Sequence, residues 1–311
     1  MKNPILAIAG PTTSGKTALG VELALRIGGE VINFDSVQIY QGIEIATAKP
    51  SAEERRGVPH HLIDYVSPLV NYTAADWAAD AAAKIYEVEA RGKVPVLVGG
   101  TGFYLRTLRQ PLFESPKTDV LLRARFEELA RVRGAEHLHS LLRRVDPVSA
   151  ERLFPRDAVR VSRALEVYFQ TGERMSEKQP GRAQPPPFAS RIHLFILDPP
   201  RAELYEKINR RTDQHFAAGL VEEVKQLRAV GLKDKSSALG AHAYRRACEF
   251  LRGERDLSSA IERSKQDVRN YAKRQLTWFR REPVDSWLDG FGDEAAVLSE
   301  LLRVLDANIC Q

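Results

Sequence analysis

Ile5-Leu-Ala-Ile-Ala9, followed at once by Gly10-Pro-Thr-Thr-Ser-Gly-Lys-Thr17, is the stretch of sequence that decides the fold of this chain. The apolar run has the length of a buried strand, and the Ala- and Leu-rich residues after it predict a helix over 16–27. A strand, a glycine-rich loop that ends in Gly-Lys-Thr and a helix form the full context of a P-loop. Backbone N–H groups of such a loop surround phosphate oxygens. The sequence therefore predicts a di- or triphosphate site made of Gly10, Pro11, Thr12, Thr13, Ser14, Gly15, Lys16 and Thr17.

Two side chains of the P-loop predict its electrostatics. Lys16 adds a whole positive charge to the partial charge of the helix N-terminus, and both favour a bound phosphate. The hydroxyl of Thr17 is predicted to contact Mg²⁺, a cation that commonly binds together with substrate phosphates. The motif itself leaves open which phosphate compound binds and what is done with it.

The composition is that of an ordinary globular protein. The 311 residues suffice for one large or two modest domains, each able to bury a core. No apolar run approaches the ~20 residues that cross a bilayer, and no signal peptide precedes the first strand. Cys248 and Cys310 are too few for a disulfide framework or a four-ligand zinc site. We therefore expect a cytoplasmic protein with two reduced thiols.

Strand and helix patterns divide the chain into a core and an insertion. Strands are predicted at 4–9, 30–34, 94–98 and 192–197, and core helices at 16–27, 73–91, 201–217, 219–230, 241–252 and 258–280. Alternating strands and helices favour an α/β fold with a parallel sheet covered on both faces. Between them, 119–133, 136–144 and 157–171 predict an all-helical insertion. The expected domains are a first core part at 1–115, the insertion at 116–188 and a second core part at 189–311.

Polar residues follow two of the predicted strands. Asp35-Ser-Val-Gln-Ile-Tyr40 follows the second strand and Gly99-Gly-Thr-Gly102 the third. Carboxyl ends of parallel strands line the ligand crevice, so Asp35 and Thr101 are expected near the phosphate loop. Asp35 could hold Mg²⁺, accept a proton or cap the next turn. His60 and His61 are expected to make hydrogen bonds rather than to bind a metal.

Positive charge is concentrated near the end of the chain. The net charge is +5, and residues 263–282 alone, with seven basic and two acidic side chains, carry the same excess. A helical projection of this segment places an apolar stripe beside a row of cations, and the segment has few acidic residues of its own. Such a helix fits contact with a phosphate backbone, and Lys273 and Arg274 are its candidate contacts.

Taken together, the motifs closely resemble the tRNA dimethylallyltransferase (tRNA isopentenyltransferase) family. To the pieces quoted above the resemblance adds Thr47-Ala-Lys-Pro50, Pro59-His-His61, Arg163-Ala-Leu-Glu-Val-Tyr168 and Tyr271-Ala-Lys-Arg-Gln-x-Thr-Trp-Phe-Arg280. It covers nearly the whole chain and implies a P-loop NTPase-like core with an inserted helical domain that clamps the tRNA anticodon stem-loop. Without a C-terminal zinc finger, the bacterial type is implied, and a monomer is expected.

The resemblance implies transfer of a dimethylallyl group from dimethylallyl diphosphate to tRNA, with release of diphosphate. The acceptor is N6 of the adenine 3′ of the anticodon, in tRNAs that read codons beginning with U. Lys16, Thr17 and Mg²⁺ would stabilise the leaving diphosphate, and Asp35 matches the general base of the family. Thr101 matches a position that contacts the target nucleotide, and the adenine is extruded from its stack to reach the site.

Further tRNA contacts are implied by the same resemblance. Residues that match the family's contacts are Ser36, Val37 and Gln38 around the adenine, and Arg123, Val159, Arg160, Val161, Ser162 and Arg163 in the insertion. The sequence departs from the family at Gly240-Ala-His-Ala-Tyr244, where the tyrosine is displaced. It departs again at Lys207, where an arginine is common and a bidentate diphosphate contact is expected to weaken.

Other functions compete with this interpretation. A GTPase is not indicated, because an Asn-Lys-x-Asp motif is absent. A small-molecule kinase could use ATP in the same loop, but it needs neither the insertion nor the basic helix. Prenylation of free AMP or ADP, and RNA binding with a relic P-loop, are the remaining alternatives. Whether a nucleoside triphosphate also enters the loop stays open.

Overall fold

Six parallel strands form a single sheet in the computed structural model, which describes residues 4–181 and 183–308. The strands are β1 Ile5–Ala9, β2 Gly29–Asn33, β3 His60–His61, β4 Val94–Val98, β5 Ile192–Leu197 and β6 Ser286–Leu288. Their order across the sheet is β3-β2-β4-β1-β5-β6, and every pairing is parallel. The predicted α/β class is confirmed, and all strand carboxyl ends meet at one edge of the sheet.

Fourteen helices occur among the described residues. In chain order they are α1 Lys16–Ile27, α2 Ala52–Arg55, α3 Ala74–Ala90, α4 Gly102–Arg109, α5 Val120–Arg133, α6 Ala135–Val145, α7 Pro147–Arg152, α8 Ala158–Thr171, α9 Met175–Lys178, α10 Arg201–Ala217, α11 Leu220–Ala229, α12 His242–Leu251, α13 Leu257–Phe279 and α14 Ala295–Asn308. Each long helix that the sequence predicts is present within one residue at each end. Short elements and α14 were not predicted.

The chain separates into two compact units. One consists of the chain up to Arg109 together with the chain from Pro186 onward, and it contains the sheet. The other runs from Gln110 to Pro185 and contains α5 to α9. The insertion expected from the sequence was 116–188.

Alternating residues of β1 show how the sheet is covered. Ile5, Ala7 and Ala9 belong to one buried cluster, which includes Trp77 of α3. Leu6 and Ile8 belong to a second cluster with residues of α1 and α14. Because side chains of a strand point alternately to opposite faces, the two clusters cover the two faces of the sheet.

The start of α3 follows its sequence signal. The hydroxyl of Thr73 accepts a hydrogen bond from the backbone N–H of Asp76 at 3.2 Å, and the Asp76 carboxylate accepts one from Thr73 N–H at 2.9 Å. This reciprocal pair satisfies two N–H groups that the helix itself leaves open.

The helical unit has its own core and a buried charge cluster. Phe126, Leu138 and Leu165 lie in that core. Glu166, whose side chain is 0% exposed, accepts two hydrogen bonds from Arg123 at 2.6 and 2.9 Å and a third from Arg163 at 3.1 Å. The buried carboxylate is therefore paired with two guanidinium groups, and the cluster of three side chains carries a net charge of +1.

Within the described ranges, no helix combines the length and the apolar character needed to span a bilayer.

Candidate functional site

The loop between β1 and α1 has the backbone of an anion cradle. Thr13 (φ 67°) and Gly15 (φ 84°) are left-handed, which turns successive peptide groups toward one side. Gly15 caps α1 without a side-chain hydrogen bond, so the first N–H groups of that helix are left for a ligand. The geometry supports the predicted phosphate-binding loop.

Lys16 is held over this loop. Its ammonium group donates a hydrogen bond to the carbonyl oxygen of Pro11 at 2.6 Å. Burial lowers the pKa of Lys16 to about 8; the carboxylate of Asp35 acts in the opposite direction, and the charge of Arg211 lowers it further. A lysine in this state gains a favourable partner when a diphosphate binds.

Two cavities adjoin the loop and share residues. The first, of about 240 Å³, is lined by the P-loop and by Asp35 and Arg211. The second, of about 230 Å³, shares Asp35, Arg211 and part of the loop, and adds Ile208, Val268 and Tyr271. Asp35 and Arg211 therefore stand between a polar space beside the phosphate loop and a more apolar one.

The two carboxylate oxygens of Asp35 have different surroundings. Oδ1 accepts hydrogen bonds from the backbone N–H groups of Val37 at 2.9 Å and Gln38 at 3.4 Å, which is the capping role. Oδ2 accepts no hydrogen bond from any residue that the structure describes. One oxygen thus fixes the turn, and the other is available for a proton or a cation.

Thr101 connects the loop after β4 to the loop after β2 by hydrogen bonds. Its backbone N–H donates to the Phe34 carbonyl at 3.2 Å, and its hydroxyl accepts from the Ser36 N–H at 3.0 Å. Gln38 is anchored differently, because its side-chain amide donates to the carbonyls of Thr47 and Ala48 at 3.1 and 2.7 Å. Asp35, Ser36, Gln38 and Thr101 are brought together as the sequence predicts, and half-buried Val37 lines the second cavity.

Sequence reasoning missed Arg211, Tyr271 and Gln275 as site residues. Burial lowers the pKa of Arg211, which lines both cavities. Burial and then the charge of Asp35 raise the pKa of Tyr271, and a hydrogen bond with Thr101 lowers it. The spacing of Tyr271 and Gln275, four residues apart inside a quoted motif, was the signal that could have placed both on one inward face of α13.

The side chain of Lys207 packs on an aromatic ring. Its ammonium group lies 3.4 Å from the centre of the Phe291 ring, and the residue lines neither cavity. Arg211, about one turn later on α10, supplies the guanidinium beside the loop instead. The effect of the departure at position 207 on a diphosphate contact stays a prediction.

The displaced Tyr244 is a buried structural residue. Its hydroxyl donates to Glu223 at 2.6 Å and accepts from the Ala46 N–H at 3.1 Å. His242, in the same departing stretch, packs against Tyr271 and lines the second cavity. This stretch shapes the wall of the cavity.

The phosphate loop is braced from outside by the segment after β6. The backbone N–H of Gly292 donates to the Ser14 carbonyl at 2.9 Å. A Cβ on Gly15 would lie 2.8 Å from Gly292 N, and one on Gly292 would lie 2.4 Å from Gly15 O. Glycine is required at both positions, because any side chain would push the two backbones apart.

His60 and His61 make hydrogen bonds, as predicted. Nδ1 of His60 pairs with the Val58 carbonyl at 2.8 Å, and Nε2 of His61 pairs with Glu30 at 2.6 Å. No group of three or more His, Cys, Asp or Glu suited to a metal ion occurs among residues 4–181 and 183–308. Thr17 lines the first cavity, and its hydroxyl fits a Mg²⁺ ion that takes its other ligands from phosphate and water.

The predicted tRNA contacts of the helical unit differ in exposure. Val159 and Arg160 are exposed, and Arg160 pairs with Asp157 at 3.1 Å. Val161 is 0% exposed and Ser162 is buried, and the match of this stretch to a tRNA-contacting one stays a prediction. Both lie on the inner face of α8. Arg123 and Arg163 are engaged by Glu166, and their contact with tRNA stays a prediction.

The cations of α13 also differ from one another. Lys273 and Arg274 are exposed, as a phosphate contact requires. Lys265, in contrast, is paired with Asp213 and Glu262 at 2.8 Å each, so the expectation of few acidic partners is wrong there. The acidic partner Asp213 comes from another helix and was not visible in the segment itself.

Comparisons with known proteins give one family. The model of the IPP transferase family matches residues 38–282. A tRNA dimethylallyltransferase of Geobacter metallireducens is 46% identical over 97% of both chains. A full-length tRNA isopentenylpyrophosphate transferase from Bacillus halodurans has a TM-score of 0.71 and 36% identity, with 98% of both chains covered. A eukaryotic dimethylallyltransferase acting on tRNA has a TM-score of 0.79 and 27% identity, over 97% of this chain and 78% of that one.

Proposed function

The chain belongs to the IPP transferase family, and from that premise we propose that it transfers a dimethylallyl group from dimethylallyl diphosphate to N6 of an adenine in tRNA. The observation that carries this proposal is the position of Asp35 between the two cavities. One cavity offers cations and backbone N–H groups for a diphosphate, and the other offers apolar walls. A kinase has no need of the second.

The leaving diphosphate is stabilised by groups that are already in place. As the allylic C–O bond breaks, negative charge grows on the diphosphate oxygens, next to the P-loop N–H groups, Lys16 and Arg211. Preorganised donors of this kind stabilise the transition state because they need no reorganisation during the reaction. Mg²⁺, held by the Thr17 hydroxyl and the diphosphate itself, would supply further neutralisation of the diphosphate when bound.

The acceptor amine reacts on the other side of Asp35. The N6 nitrogen forms a bond to the allylic carbon while the C–O bond to diphosphate breaks, and it must lose one proton. The open oxygen of Asp35 takes that proton as general base, while its other oxygen stays bonded to the turn. Thr101, through Ser36, fixes the loop that carries Asp35.

The finer features of the substrate belong to the same proposal. The target is the adenine 3′ of the anticodon, which leaves its stack to enter the site. Exposed Lys273 and Arg274, together with Arg160 of the helical unit, are the proposed contacts to RNA phosphates. We propose a monomer that acts in the cytoplasm.

Transfer of radiolabel from dimethylallyl diphosphate to unmodified tRNA tests the function. Labelled ATP as donor and free AMP as acceptor are parallel controls. We expect label in tRNA with Mg²⁺ present, and none when the anticodon-adjacent adenine is replaced. Label in AMP, or phosphate transfer from ATP, would contradict the proposal and support one of the alternatives.

A further inference from the structure

Gln275 of α13 joins two loops that follow different strands. The residue is 5% exposed, and both ends of its side-chain amide are used. Oε1 accepts a hydrogen bond from the backbone N–H of Thr12 in the P-loop at 2.8 Å, and Nε2 donates one to the carbonyl of Gly100 at 2.9 Å. Because each end has a partner of the opposite kind, the amide is held in one orientation.

The loop after β4 is shaped around this amide. A Cβ at position 100 would lie 2.3 Å from Nε2 of Gln275, so no side chain can be accommodated there while the amide keeps its place. The glycine that the sequence shows as part of Gly99-Gly-Thr-Gly102 is therefore required by a contact with α13 as well as by any ligand.

A short path leads from Gly100 to the proposed general base. Thr101, the next residue, accepts a hydrogen bond from the N–H of Ser36, and Ser36 directly follows Asp35. On the other side, Thr12 belongs to the loop proposed to hold the diphosphate. Gln275 thus links the phosphate loop to the loop that holds Asp35 in place.

We propose that Gln275 is a positioning residue, which sets the distance between the phosphate loop and the loop that carries Asp35. This inference rests on the proposed function. Gln275 lines the first cavity, but both ends of its amide are bonded to Thr12 and Gly100, and it acts through those two residues. Since a misplacement of about 1 Å between reacting groups costs on the order of 100-fold in rate, the loss of this link is expected to slow the transfer step itself.

The test compares Gln275→Met with Gln266→Met. Methionine has nearly the volume of glutamine and makes neither hydrogen bond. Gln266 lies on the same helix, is exposed, and its side chain forms hydrogen bonds with its neighbours Arg269 and Asn270. Single-turnover transfer is measured alongside the Kd of dimethylallyl diphosphate alone, the Kd of tRNA alone and the thermal midpoint.

We expect the single-turnover rate of Gln275→Met to fall about 100-fold, while both dissociation constants stay within about threefold of the parent. Gln266→Met should match the parent in every measurement. A rate within threefold of the parent overturns the proposal. So does a loss of both affinities in parallel with a large drop in thermal midpoint, because that pattern identifies a structural role only.

Gln275→Glu keeps the test decisive where the methionine variant fails to fold. Its carboxylate can still accept from Thr12 but cannot donate to Gly100, so the rate should again fall without loss of tRNA affinity. An unchanged rate contradicts the proposal.

Amide hydrogen exchange separates this inference from the proposed function, because it needs no substrate. We expect faster exchange in both 10–14 and 99–101 in Gln275→Met, and unchanged exchange in Gln266→Met. Faster exchange in neither loop refutes the link even where transfer is confirmed. Absence of transfer in the parent, with both loops loosened, refutes the function and leaves the link standing.

Discussion

Replacing Asp35 by asparagine separates the two jobs of its carboxylate. The amide oxygen of asparagine can accept the hydrogen bonds that Oδ1 now accepts from Val37 and Gln38. The second position becomes an NH₂ group, which cannot take a proton. Asp35→Asn therefore removes the proposed base and keeps the turn.

The expected size of the effect follows from these contacts. General-base catalysis contributes about 10²–10⁴-fold, so the transfer rate should fall by that factor, or about 3–5 kcal/mol of barrier. The free energy of unfolding should change by less than about 0.5 kcal/mol, as for a substitution that keeps its contacts. Asp35→Ala should lose the same rate and, in addition, about 1 kcal/mol of stability, because two backbone N–H groups lose their cap.

The assay is single-turnover transfer at pH 7 with tRNA affinity measured separately. Asp35 raises the pKa of Lys16, so the asparagine variant has a lysine that loses its charge at lower pH than the parent. Measurements at pH 7 keep that secondary effect small. A rate within tenfold of the parent, or loss of tRNA binding in parallel with activity, would refute the general-base argument.

Three further predictions use other parts of the molecule. Burial lowers the pKa of Lys16 to about 8 from 10.5, so between these two pH values the unfolded chain binds more protons than the folded one, and the free energy of unfolding rises with pH. In Lys16→Met, denaturation at pH 7 and pH 10 should show that this rise in stability is lost, and calorimetry should show that diphosphate no longer binds. The double variant Lys273→Ala, Arg274→Ala should bind all tRNAs more weakly by the same factor, and the slope of its log affinity against log salt concentration should fall by about two. An unchanged slope would exclude both residues from the tRNA interface. Glu166→Gln should cost about 2 kcal/mol in urea denaturation, less than a fully buried pair because Arg123 reaches water. Glu128→Gln, which breaks the exposed ion pair of Glu128 with Arg131, should leave the urea midpoint unchanged.

Long periodic segments were predictable from the sequence because burial imposes a regular pattern on them. The helix over 16–27 and the strand over 94–98 have the predicted bounds. β3 and β6 have two and three residues, too few for a period, and are strands only because a longer neighbour pairs with them. α4 begins at a glycine of the Gly-rich turn, which is typical of a loop.

The phosphate loop and the Asp35 turn were predictable because their residues are close in sequence. Arg211, Tyr271 and Gln275 were not, since each reaches the site from a helix far along the chain. Val161 illustrates a different point. A match over a whole stretch does not tell which of its side chains are buried, because a helix turns part of every stretch inward.

The brace that Gly292 gives to the phosphate loop has a consequence for how the protein is made. Synthesis runs from the amino end, so the loop motif is made before Gly292, which follows tens of seconds later at about 5–20 residues per second. Until then the glycine-rich loop after β1 lacks the hydrogen bond that the Gly292 N–H donates to the Ser14 carbonyl. A nascent chain thus contains the loop motif early, but the motif becomes a supported phosphate-binding loop only when β6 and the segment after it join the sheet.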